Sequence, residues 1–422
     1  MTSAAAANPY GIRQRPGWSV TTLGELANHG TGFIQTGPFG SQLHARDYKE
    51  EGVPVVMPQQ LGDNTITTEG IARISETDRD RLARHIMQIG DIVFSRRGDV
   101  TRRAYISTDE AGWMCGTGCL LIRVRHADCE NQFLAYFFSL PQFKDYITQK
   151  AVGATMPNLN QGILSGIPLV LPPRPVQEDI VGILAAYDDL MENNARRIRL
   201  LEDSARLLYE EWFVRLRFPG HEHTPTQNSL PKGWERVPTP EAIDINPRTK
   251  LSDDDEHWWV VMGDLPLDSM VIQNAVRRSG RSGSKFMNGD TLLARITPCL
   301  ENGKTAFVAF MDNGQVARGS TEFIVLRSRR LTPEYVYCLA RTYDFRENAI
   351  KSMIGASGRQ RVQDSCFEKF MVYVPPKLLL DAFTDFARPV FKQIQTLHVQ
   401  NQKLQTARDV LLPRLMSGDL VV

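Results

Sequence analysis

A domain-sized tract is written twice in this chain, and any fold must accommodate both copies. Gly17-Trp18 is met again at Gly233-Trp234, Gly90-Asp91-Ile92-Val93 at Gly289-Asp290-Thr291-Leu292, and Gly116-Thr117 at Gly319-Ser320. Gly153-Ala154 returns at Gly355-Ala356, and Leu171-Pro172-Pro173 at Val374-Pro375-Pro376. The offset is 216 residues at the tryptophans, 199 at the Gly-Asp pair and 202 to 203 beyond it, as loop insertions would leave a duplicated domain. Solenoid repeats are far shorter and are excluded.

Each copy opens on its tryptophan and runs through short β-rich pieces punctuated by glycine, among them Val53 to Met57, Asp91 to Ser95, Cys119 to Val124, Thr291 to Ala294 and Glu322 to Leu326. A short helix is expected at Gln132 to Tyr146 and again at Pro333 to Ile350, followed by a glycine-rich loop, a strand and the proline pair. The pattern predicts two tandem α/β (α+β) globules.

Behind each proline pair lies a different periodicity. Ile180, Leu184, Tyr187, Met191, Asn194, Ile198, Leu201, Ala205, Leu208 and Trp212 are spaced by alternating fours and threes, a coiled-coil seam. Phe383, Ala387, Val390, Ile394, Leu397, Asn401, Leu404, Arg408, Leu411 and Leu415 repeat it in phase, with Pro389 expected to kink or restart that helix. Each seam carries one asparagine, and buried amides specify register by pairing with each other. Opposing Asn194 and Asn401 in antiparallel helices sets Ile198 against Leu397, Leu201 against Ile394 and Leu184 against Leu411, all apolar. The reading is a pair of antiparallel helices about 50 Å long, with a globule at each end and a pseudo-twofold internal repeat. The expected division is a first globule at 1–173, a central helix at 174–217, a linker at 218–232, a second globule at 233–376, a C-terminal helix at 377–416 and a tail at 417–422. Two helices buried against their own globules are the plainer alternative.

Composition narrows the classes further. With 42% hydrophobic and 23% charged residues among 422, wholesale disorder and a membrane-embedded chain are disfavoured. No apolar run approaches the length of a membrane span, and Met1 to Trp18 lacks a basic stretch followed by an apolar core, so a cytosolic location is expected. Lys and Arg (49) balance Asp and Glu (48). Yet Val176 to Leu216 holds nine acids against five bases, so the positive charge lies elsewhere. Arg277 to Lys285 has four cations and no acid, the composition of a phosphate-binding loop. Cys115 and Cys119, with Cys129 beyond, lack the CxxC or paired histidines of a zinc site, so buried, reduced thiols are expected and no metal.

The closing stretch Leu404-Gln405-Thr406-Ala407-Arg408-Asp409-Val410-Leu411-Leu412-Pro413-Arg414-Leu415-Met416-Ser417-Gly418 resembles the C-terminal repeat of type I restriction-modification specificity subunits. Leu171-Pro172-Pro173, Gln177, Ile180 and Asn194 resemble their central repeat. Thr36-Gly37-Pro38-Phe39-Gly40-Ser41-Gln42-Leu43-His44 with Asp47-Tyr48, Gly90 to Val93 with Arg96-Arg97-Gly98-Asp99, and Arg295 to Lys304 are similar to motifs of their target recognition domains. Arg174-Pro175-Val176, where the family often has an acid-containing turn, and Pro389 depart from the pattern and leave the helix starts open.

The resemblance implies a non-catalytic, prokaryotic, cytoplasmic subunit that binds double-stranded DNA. Each globule would read half of a bipartite target, at a spacing set by the helices. Two modification subunits using S-adenosylmethionine to methylate adenine are the implied partners, with two restriction subunits using ATP and Mg to translocate and cut DNA; this chain itself would bind no cofactor. Acids on the helices, Asp188, Asp189, Glu192, Glu202 and Asp203, are offered as a partner-facing surface.

Base-edge contacts read sequence, whereas cations on phosphates supply affinity and position. In the first copy the candidates are Gln35, Thr36, Ser41, Gln42 and His44 around the Gly-Pro-Phe-Gly turn, Arg96, Arg97, Arg102 and Arg103 around Gly98, and Asn158 and Asn160. In the second they are Arg277, Arg278, Arg281 and Lys285 in a loop expected to order on DNA, with Arg295, Lys304, Arg318, Arg359, Gln360 and Arg361. Solvated surface arginines and turn-shaping residues are the bland alternative.

Catalytic signatures are missing. Gly303-Lys304-Thr305 ends like a phosphate loop, but Pro298 stands where its first glycine belongs. Both proline pairs follow Leu or Val rather than the Asn or Asp of an adenine methyltransferase, and no HExxH occurs. A coiled-coil scaffold that binds proteins, and a single-chain DNA-modifying enzyme with an unrecognised site, remain the alternatives.

Overall fold

A computed structural model describes residues 9–12, 15–153, 156–227, 230–251, 255–356 and 358–422. Ala154 and Ser357, invoked in the repeat and in its glycine-rich loop, lie outside the described residues, as do the first eight residues and 228–229 of the expected linker. The chain forms two compact units, one of residues 1–189 with 405–422 and one of 190–404.

The motifs that bound each repeat are spatial neighbours. In the first unit Ser19–Thr22 pairs antiparallel with Pro168–Leu171, Ser19 opposite Leu171. In the second, Glu235–Pro238 pairs in the same sense with Met371–Val374. Gly17 (φ +83°) and Gly233 (φ +88°) turn the chain into these strands in a conformation that disfavours side chains, and each faces the second proline of its own pair, Pro173 or Pro376. A clasp of the two ends thus closes each globule.

Behind the clasp stands an antiparallel four-stranded sheet. Its order in the first unit is Phe33–Thr36, Cys119–Arg123, Ile92–Ser95, Arg103–Tyr105; in the second it is Ile243–Ile245, Phe323–Ser328, Thr291–Ala294, Thr305–Phe307. The repeated Gly-Asp has a structural purpose there. Asp91 accepts from Arg123 Nε at 2.9 Å and Nη2 at 2.6 Å and from the Gln88 main chain at 2.8 Å. Asp290 accepts from Arg327 at 2.7 and 2.6 Å and from Met287 N at 2.8 Å. A second four-stranded sheet in each unit includes one parallel pairing, Val55 beside Met114 and Trp259 beside Arg318.

Each helical segment expected after the sheet is two helices. Asn131–Phe137 gives way to Pro141–Lys150, and Pro333–Arg341 to Tyr343–Lys351. At Leu140 the cause is steric: the ring of Pro141 pushes the preceding residue to ψ 133°, outside the helical region.

The long helices span Arg174–Tyr209, prolonged by a π turn at Glu210–Val214, and Lys377–Met416. The second is continuous through Pro389, so the helix does not restart there. A proline removes one helical hydrogen bond. Ala387 and Phe391, buried in the second unit's core on either side of it, hold the helix in place. In the first unit Ile180 and Leu184 share a core with Leu412, Leu415 and Met416. In the second, Ala205 and Tyr209 share one with Phe383, Ala387, Phe391 and Ile394, and Ile198 and Leu201 pack against it. Within the second unit Asn194 bonds to Asn401 while Tyr209 packs on Phe383, so the helices pair antiparallel there. Each fully buried apolar side chain of this kind contributes about 1.5–3 kcal/mol.

Candidate nucleic-acid interface

In the first unit the turn after Phe33–Thr36 is held from both sides. Gly37 N donates to Cys119 O at 3.0 Å, and a Cβ on Gly37 would lie 2.0 Å from Gly116 O, so only glycine fits. Thr117 Oγ1 donates to Pro38 O at 2.9 Å, while Gln42 Oε1 accepts from Phe39 N at 3.1 Å. Phe39 stands at the tip, 55% exposed. It borders a cleft of about 450 Å³ with Pro58, Arg96, Arg97 and Thr117. The Gly-Pro-Phe-Gly and Arg-Arg motifs therefore meet. Arg97 also bridges through its main chain to Asn158, which bridges in turn to Val152.

The other candidates of this unit disperse. Gln35 is buried, its Oε1 accepting from Arg84 at 3.0 Å. Asn160 caps the helix Gln161–Ser165, accepting from Ile163 N at 2.9 Å. His44 and Ser41 are exposed, and Thr36 lies in the sheet opposite Leu120. Arg103 corrects the expected four-arginine surface: it is fully buried, ion-paired to Asp63 at 2.8 Å, because its sheet position points inward. Exposed Arg102 pairs with Asp99 at 3.3 Å on a separate cleft of about 460 Å³, lined also by Gln59, Thr65, Thr67 and Lys144. Those four polar residues were not singled out by sequence, because no motif marks them.

The second unit corrects the basic loop. Val276–Arg278 is a strand on His257–Trp259, and Ser284–Met287 is a strand on Val316–Gly319. Two arginines are stacked here: Arg277 lies 4.8 Å over the Trp258 ring and Arg278 3.8 Å over that of Trp259. Neighbouring residues of a strand face opposite ways, so the two pairs occupy the two faces. The tryptophans, silent in the sequence as a motif, are what order these arginines. Arg281 is exposed and Lys285 half-buried. Arg318 lies in the interior below, donating to Arg281 O at 2.9 Å, which removes it from the surface set.

Arg361 bridges through its main chain to both Ile296 and Ile354, as Asn158 bridges to Arg97 and Val152. The two residues occupy the same place in the repeat. Arg361 pairs with Glu322 at 2.7 Å and Arg295 with Asp364 at 3.3 Å. Arg359 is exposed, the Gln360 main chain accepts from Thr297 N at 3.0 Å, and Lys304 Nζ donates to Met262 O at 2.7 Å. Close by, a cleft of about 580 Å³ is lined by Asp244, Asn246, Arg248, Asp364 and Glu368.

Several known proteins are similar to this chain. Residues 16–203 match the type I restriction modification DNA specificity domain, and the second unit repeats the strand order of the first unit's antiparallel four-stranded sheet. Over residues 16–203 the chain is similar to type I restriction-modification specificity subunits. It is similar to the MjaIX specificity subunit of Methanocaldococcus jannaschii, 23% identical over 397 residues and 89% of each chain. The EcoEI specificity subunit of Escherichia coli is 30% identical over 156 residues, 35% of this chain and 26% of that one. A crystal structure of a type I system S subunit from M. genitalium shares the fold, with a TM-score of 0.58 at 14% identity over 94% of this chain and 96% of that one.

The match supports a role in DNA sequence specificity. Burial pushes the Cys129 thiol up to about 12 and that of Cys338 well above its ordinary value, so both are protonated at neutral pH. Among the described residues no group of three or more His, Cys, Asp or Glu is placed to hold a metal, and no helix is long and apolar enough to cross a membrane. The acids offered as a partner surface are partly spent inside. Asp188 accepts from Tyr136 at 2.7 Å and Arg408 at 2.6 Å. Glu202 is buried, accepting from the Tyr337 hydroxyl and from Met270 N. Asp203 pairs with Arg206, while Asp189 and Glu192 are exposed.

Proposed function

We propose that this chain is the non-catalytic subunit that reads a bipartite DNA target for a cytoplasmic type I restriction-modification enzyme. Each globule takes one half-site. The antiparallel helices set the gap and carry two modification subunits and two restriction subunits, which hold the S-adenosylmethionine, ATP and Mg. One observation carries this reading: the two units share a scaffold down to the Asp91–Arg123 and Asp290–Arg327 ion pairs, yet present different side chains at corresponding places, Arg97 and Asn158 in one and Ile296 and Arg361 in the other. A shared scaffold with unlike surfaces suits two readers of unlike sequences. Arg97, Arg277, Arg278, Arg281 and Arg359 are the exposed cations proposed to meet DNA.

Methylome sequencing of the host, with and without this gene, tests it. A split adenine-methylated motif that disappears on deletion is expected; an unchanged methylome overturns the reading. Inserting seven residues into each long helix adds about 10 Å, which should widen the unread gap by about three base pairs. The protein-scaffold alternative predicts DNA affinity indifferent to salt, whereas phosphate contacts make log affinity fall steeply with log salt.

A further inference from the structure

We infer that Phe39 is a wedge that stacks on a nucleobase within the half-site engaged by the first globule, a role that rests on the DNA-reading function proposed above. An aromatic ring, 55% exposed, stands at the loop tip. It is held out by a scaffold that leaves it little freedom. Phe39 O accepts from Gln42 N at 2.8 Å and Leu43 N at 3.1 Å, and Arg81 Nη1 fixes the Gln42 main chain at 2.7 Å. With the Pro38 and Gly37 contacts, the tip is tied to the sheet on both flanks.

The surroundings fit a base better than a protein side chain. Among the described residues no acid lines the adjoining cleft, whose sides are Pro58, Thr117, Arg96 and Arg97. Arg96 Nε is buried without a hydrogen-bond partner among the described residues, a donor left for an incoming acceptor. Apolar wedges beside cations enter base steps and unstack them, and aromatic faces accept any base because every base has a π-face. The second unit carries Asn246-Pro247-Arg248-Thr249 after the equivalent strand, without an aromatic residue, so the distortion should be confined to one half-site.

The test uses the full chain assembled with its modification subunits on duplexes bearing the methylome motif. Permanganate reactivity of thymines and 2-aminopurine fluorescence report unstacking at each step. The wild type should show enhanced reactivity at one step of one half-site. Phe39→Ala should abolish it and weaken binding about 5- to 150-fold with the salt slope unchanged, and Phe39→Trp should restore both. Retained reactivity and affinity in Phe39→Ala overturns the wedge, as does a variant impaired only in subunit assembly, which would mark a protein contact. A wild type that leaves no specific footprint removes the DNA reading itself, and the wedge with it.

Discussion

Asn194 donates from Nδ2 to the Asn401 side-chain oxygen at 2.9 Å, and Asn401 donates in turn to the Met191 main chain at 2.9 Å. Two amides inside a largely apolar seam satisfy each other only in one register, because a slip of one heptad would set them against Ile394 and Tyr187, or against Arg408 and Leu201. Asn194→Leu alone should cost about 1–3 kcal/mol, since the Asn401 oxygen loses its donor in a buried place. The double variant Asn194→Leu with Asn401→Leu should regain that stability and lose register definition. Thermal unfolding of the three proteins checks this: a single variant as stable as wild type would show that the amide pair contributes nothing.

The two buried ion pairs should respond unequally. Asp91 is fully buried and Arg123 nearly so at 10% exposure, while Arg327 keeps 22% of its side chain in water. Asp91→Asn strands a desolvated guanidinium and should destabilise the first unit by about 3–5 kcal/mol. Asp290→Asn should cost less, because water reaches the remaining arginine. Limited proteolysis followed by mass mapping assigns each loss to its unit. Equal losses would contradict the solvation argument.

The fold was legible where one residue type has one physical reason to recur. Gly17 and Gly233 need positive φ, the proline pairs end a strand beside them, and the asparagines interrupt an apolar seam at matching places. Gly-Asp was visible as a repeat, but its purpose was not, since Arg123 and Arg327 lie 32 and 37 residues further on and nothing local announces them. Among site candidates, a basic composition alone could not separate Arg97 on the surface from Arg103 inside, because strand alternation decides the matter and the strand's start was unknown. Trp258 and Trp259 went unnoticed for the opposite reason: aromatic residues in a strand are ordinary until a partner strand sets arginines across their rings.

Glu202 gives the second unit a distinctive pH response. Burial raises its pKa above the ordinary 4.5, against the lowering effect of the Tyr337 and Met270 hydrogen bonds. The folded state therefore holds a proton that the unfolded chain releases, and stability from this group is greatest below the unfolded pKa. It declines as pH rises from about 4.5 to the folded pKa and is constant above. Glu202→Gln removes the titration while keeping an acceptor for Tyr337. The difference in melting temperature between wild type and variant should change across that window in favour of the wild type on the acid side. A difference independent of pH would mean Glu202 does not titrate on unfolding.

Arg97 and Arg277 should separate from Arg103 by what their loss does. Exposed on opposite units, the first two can neutralise phosphate or meet a guanine edge, so Arg97→Ala and Arg277→Ala should each weaken DNA binding by the assembled complex. If the contact is to phosphate, the loss is uniform across sequences and the salt slope falls by about one; a base contact instead costs about 1–3 kcal/mol and relaxes one position of the motif. Arg103→Ala acts through the fold. It leaves Asp63 to Lys144 alone and opens a cavity beside Ser139, so melting temperature should drop while the salt slope of the surviving folded protein is unchanged. Anisotropy titrations at several salt concentrations, read beside thermal melts, distinguish the two patterns. An Arg103→Ala protein with normal stability and a reduced slope would place that side chain on the DNA after all.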